Sequence, residues 1–116
     1  MKDINGKIQY KDREYKMVFD LNVMETIQDE YGSIEKWGEL TGGEEPNIKA
    51  VIFGFSAMLN EAIDIDNEDN GTNEEHLSHK KVGRMLTEIG FQNATKKLQE
   101  TVVESTKSEE KTHNPR

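Results

Sequence analysis

A chain of 116 residues suits a single hydrophobic core; hydrophobic and charged residues make up 33% each and the mean hydropathy is -0.87, so part of the chain belongs to solvated surface or tail. The formal charge of -8 argues against direct binding of duplex DNA or RNA, which needs clustered Lys and Arg to displace counterions, and the mixed charges disfavour DNA mimicry. With no cysteine there are no disulfides, thiolate nucleophiles or thiolate metal ligands, as suits an intracellular protein, and no apolar stretch approaches the roughly 20 residues that span a bilayer.

The first twenty residues read as a β-hairpin. Ile8 and Tyr10, then Tyr15, Met17 and Phe19, alternate with polar residues at the two-residue strand period, with Val18 a slight break. The polar run from Lys11 to Arg13 supplies the turn, although Asn5-Gly6 is the stronger dipeptide signal and marks an alternative, earlier bend.

From Asp20 the period becomes helical. Met24, Ile27 and Tyr31 share a face, Asn22 is the expected N-cap with Glu25 as its capping-box partner, and Gly32 suits the residue just past the helix end. Ser33 then caps a short helix in which Ile34, Trp37 and Leu40 share a side, with Trp37 as a core anchor. A loop at 41–45 leads to Pro46, expected in the first turn of the next helix.

That third helix, from Ile48 to about Ile63, carries the broadest apolar stripe: Ile48, Val51, Ile52, Phe55, Met58, Leu59 and Ala62, widened by Phe53. It is the expected spine of the core. Ala50, Gly54 and Ala57 form a small-residue strip that allows close approach by a neighbour, internal or external. Residues 64–75 read as an exposed acidic loop. Ser78 caps a fourth helix with Val82, Met85, Leu86 and Ile89 on one face and Gly90 at its end, and Phe91, Ala94, Leu98 and Val102 mark a fifth. Residues 105–116 contain no apolar side chain and are expected to form a disordered tail. The fold class is therefore α+β and mostly helical: one domain over residues 1–104, with a hairpin at 1–20, a helical part of four to five helices at 21–104, and the tail.

Catalytic and metal-binding signals do not converge. Asp66, Glu68, Asn70 and Gly71 fall at the first, third, fifth and sixth offsets of a calcium-binding EF-hand loop, but the twelfth is Leu77 where a bidentate carboxylate is required. His76 and His79 lack a third ligand at suitable spacing. The serines lie at caps, in the tail or, for Ser56, inside the third helix, and none has a nucleophile-elbow context. The pairs Glu44/Glu45, Glu74/Glu75 and Glu109/Glu110 sit in expected loops or tail, and Gly42-Gly43 lacks the Lys-Ser/Thr of a phosphate-binding loop. The reading is of a non-enzyme without metal or cofactor.

The stretch from Val18 to Gln28, followed by Tyr31-Gly32-Ser33-Ile34-Glu35-Lys36-Trp37, resembles the phage tail assembly chaperones of Gram-positive prophages. Residues 53–61, 63–67 and 82–90 carry the same resemblance, which spans roughly residues 4–104. It implies a hairpin followed by helices, and a non-virion factor of the host bacterial cytoplasm. That factor coats the long tape measure protein, keeps it soluble and helps recruit tail tube subunits, with no catalytic residue to carry over. Neither nucleic acid nor membrane is an expected partner, and self-association is left open. Physically, an apolar face would receive tape-measure helices while negative charge keeps the complex dissolved. The candidate contacts are Val82, Met85, Leu86, Phe91, Leu98 and Val102, weighed against the alternative that all six pack internally. The rival reading is a virion structural component, a connector or tube-associated subunit whose hairpin joins an intermolecular sheet.

Overall fold

The computed structural model describes the backbone of residues 5–113 and side-chain environments from residue 6 to residue 103. Strands β1 (Asn5–Tyr10) and β2 (Arg13–Val18) pair antiparallel, with Tyr10 opposite Arg13 across a two-residue turn. Lys11 in that turn takes a φ of 57°. The expected turn is thus one residue shorter, Arg13 opening β2. Asn5-Gly6 makes no bend. Gly6 faces inward opposite Met17, where a Cβ would come within 2.7 Å of Met17 Cε and 2.8 Å of Thr101 Oγ1. The same face buries Ile8, Tyr15 and Met17, as the alternation predicts, and Phe19 follows them into the core.

Five helices follow: α1 (Leu21–Tyr31), α2 (Ile34–Thr41), α3 (Ile48–Asn70), α4 (His79–Ile89) and α5 (Phe91–His113). Most boundaries obey local capping chemistry. Ser33 and Ser78 accept from the backbone N–H of Lys36 and Lys81, and Gly32, Gly71 and Gly90 end their helices with φ of 95°, 66° and 100°. Two expected starts move. The cap of α1 is Asp20, whose Oδ1 accepts from Val23 N at 3.1 Å, while Asn22 lies inside the helix and donates to Glu61. The cap of α3 is Asn47, so Pro46 precedes the helix instead of opening it.

The expected loop at 64–75 is corrected in its first half: α3 continues through it to Asn70, with Gly71 as its left-handed stop. The apolar period ends at Ile63, but the polar turns that follow have partners. Lys16 reaches Asp66 at 3.3 Å, and Asn67 holds the returning chain. The helical backbone at Asp66, Glu68 and Asn70 also removes the loop that the EF-hand offsets would require.

Helix α3 contacts β2 and each of the other helices. Its buried side, from Ala50 and Val51 to Phe55, Met58 and Leu59, meets Trp37 of α2, Val23 and Ile27 of α1, the hairpin face, Val82, Met85 and Leu86 of α4, and Ala94 and Leu98 of α5. The α+β class read from the sequence is the architecture found. The tail expected at 105–116 lies on side chains outside the described set; the α5 backbone continues to His113, and residues 114–116 lie outside the described residues. Among the described residues no helix is long and apolar enough to cross a membrane.

Candidate partner-binding surface

Four of the six candidate contacts belong to the core. Val82, Met85, Leu86 and Leu98 are buried, so they offer no surface to another chain in this conformation; Phe91 and Val102 are half-buried against the same cluster. The reason is area: one small core must be closed on every side, and the α4 stripe is the lid over α3. Among the described residues, the large apolar side chains that face water are Leu21 (71% exposed), Ile48 (62%) and Val103 (53%). Leu21 opens α1 and Ile48 opens α3, each at a helix start where the amphipathic stripe has not yet turned inward. Val103 lies one turn beyond Gln99, whose amide approaches Gly42 at the end of α2. Periodicity alone gives these residues no distinction, because it reports which face is apolar and not where a neighbouring element stops short.

The small-residue strip on α3 has an internal neighbour. Trp37 lies across Ala50 and Gly54, its indole Nε1 donating to the Ala50 carbonyl at 3.0 Å, and a Cβ on Gly54 would overlap the indole. Phe19 stacks with the indole, ring centroids 6.4 Å apart and planes at 17°. The Ala50 and Gly54 part of the strip is therefore a seat for Trp37 and is unavailable to a partner chain, while Ala57 is half-buried.

Polar groups concentrate on the second half of α3. Glu61 accepts from Asn22 Nδ2 at 3.0 Å and also meets the capping residue Asp20. Partial burial, the hydrogen bond with Asp20 and the charges of Asp20 and Asp64 push the Glu61 carboxyl up to about 7, against the opposing Asn22 bond. It can hold a proton near neutrality, between two other carboxylates. Asp64 Oδ1 lies 2.7 Å from His76 Nε2. Among the described residues no group of three or more His, Cys, Asp or Glu is arranged to hold a metal ion.

The chain leaving α3 runs back along it. Asn67 receives Glu74 N and donates to Glu74 O, each at 3.0 Å; Asn60 receives Leu77 N at 2.8 Å and donates to Leu77 O at 3.1 Å. With the Asp64–His76 contact between them, side chains at 60, 64 and 67 form one ladder on successive turns. The visible hint in the sequence is Asn60, an amide set into an apolar helix where only a partner justifies it. No protein-family model matches the chain, nor does any curated protein or solved structure.

Proposed function

We propose that this chain is a tail assembly chaperone of a long-tailed phage or prophage, acting in the host bacterial cytoplasm and absent from the finished particle. It binds the tape measure protein, keeps it soluble and helps bring tail tube subunits to it. The resemblance over Val18–Gln28 and Tyr31–Trp37 carries the reading, and a hairpin followed by helices is the element order that resemblance calls for. The physical requirement is an apolar contact surface on an acidic, soluble body; Leu21, Ile48 and Val103 supply exposed apolar side chains on a molecule of charge -8. In the closed conformation the available contacts are these positions and not the α4 stripe. The test is co-expression with the tape measure protein of the same tail gene cluster. More of that protein in the soluble fraction, co-purifying with this chain, is the expected result, and unchanged solubility overturns the reading.

One observation favours a second reading. Among the described residues the hairpin is a two-stranded sheet, so β1 and β2 each keep one edge without a partner strand there. An accessory subunit of the tail could use such an edge to join an intermolecular sheet. Mass spectrometry of purified particles separates the readings: a chaperone is absent, a structural subunit is retained.

A further inference from the structure

We propose that α4 and α5 form a flap that opens from α3 as one unit, hinged at the connection 71–78, while the hairpin, α1, α2 and α3 stay folded. Three features of the α3–α4 seam carry this. First, the connection is fastened to α3 largely by side chains. Beyond the bond from Thr72 N to Asn67 O at the helix end, its anchors on α3 are Asn67, Asn60 and the Asp64–His76 contact; Arg13 of the hairpin pairs with Glu74, and Leu77 packs at the edge of the core. Most of these bonds are exposed and the Asn60 pair is only part-buried, so water can replace each one as it breaks.

Second, the seam contains a buried polar atom without a partner among the described residues. Ser56 lies one turn from Ile52, which approaches Gly83 of α4, and one turn from Asn60, which holds Leu77. It therefore faces the start of α4. Its hydroxyl is buried with no hydrogen bond, so separating the seam returns that group to water and lowers the cost of opening. Third, α4 presents Gly83 to Ile52, where a Cβ would make only ordinary contact at 3.6 Å, so the two helices meet there through one side chain instead of two. Opening must also part α4 and α5 from β1, α5 from α3, and Gln99 from Gly42; at Gly6 against Thr101 the strand contributes no side chain.

The opened flap would expose Val82, Met85, Leu86 and Leu98, the stripe that is closed in the structure. Opening stands on the seam itself; its use for a client rests on the chaperone reading, and a measurement without client separates the two. Native-state hydrogen exchange on the full chain, at low denaturant, is that measurement. The expected result is that α4 and α5 amides exchange together and ahead of those in α1 and α3. Asn60→Ala should speed exchange in α4 and α5 about tenfold while leaving α1 and α3 unchanged, and Ser56→Ala should slow it about threefold in the same two helices. Exchange of all helices through one common opening overturns the proposal, as does an equal effect of either variant on α1 and α3.

Discussion

Trp37 can lie across α3 because position 54 has no side chain, and the same atom-scale argument gives two glycines opposite fates. A methyl group at Gly54 would overlap the indole and push it from its bond to Ala50 O and from the stack with Phe19. Overpacking of that kind costs about 1–3 kcal/mol, more than the helix-propensity gain of about 1 kcal/mol that alanine brings. Gly38, inside α2, has nothing within 4 Å of where its Cβ would be. Gly54→Ala should therefore lower the urea midpoint and Gly38→Ala should raise it, with Trp37 fluorescence changing only in the first. Equal shifts in both variants would show that the indole does not depend on the glycine. The small-residue strip was legible in the sequence, but its occupant was not, because a helical period says where space exists and not which distant ring fills it.

Between elements, the junction of α1 and α3 makes stability depend on pH. The Glu61 carboxyl is raised from 4.5 to about 7, first by burial and then by Asp20, so the folded protein holds a proton there that the unfolded chain releases nearer pH 4.5. The contribution is complete below about pH 4.5 and is lost as pH rises through about 7, with the decline confined to that window. Glu61→Gln imitates the protonated side chain, keeping a donor toward Asp20 and an acceptor for Asn22. Urea titrations at pH 5 and pH 8 should show wild type losing more stability over that interval than the variant, and parallel losses would remove Glu61 as the cause. Element order, the glycine stops and the serine caps could be read from the sequence because each depends on residues within one turn. The second half of α3 could not. Its helical state rests on Lys16, Glu74 and Leu77, partners that composition does not bring near. The acidic, Asn-rich run reads as loop until those contacts are known.

At the scale of the molecule, the candidate surface changed because amphipathicity identifies a face without identifying what covers it. The α4 stripe closes the core, and among the described residues three large apolar side chains at the margins of α1, α3 and α5 are left in water. Such residues are tolerated singly in any soluble protein, so exposure alone does not make them contacts. What distinguishes a contact is a substitution that changes binding and leaves the fold intact. Leu21→Glu, Ile48→Glu and Val103→Glu each place a charge where water already reaches, so each should shift folding stability by no more than about 0.5 kcal/mol, and the added negative charge preserves the chain's own solubility. Met85→Glu buries a charge under α3 and should unfold the protein outright. If the exposed side chains receive tape-measure helices, at least one of the first three variants must remain folded by thermal melt yet fail to keep the co-expressed tape measure protein soluble. If all three retain full activity, the margin residues are ordinary surface. On the chaperone proposal, capture would then require the stripe beneath α4, which only an opened flap can present.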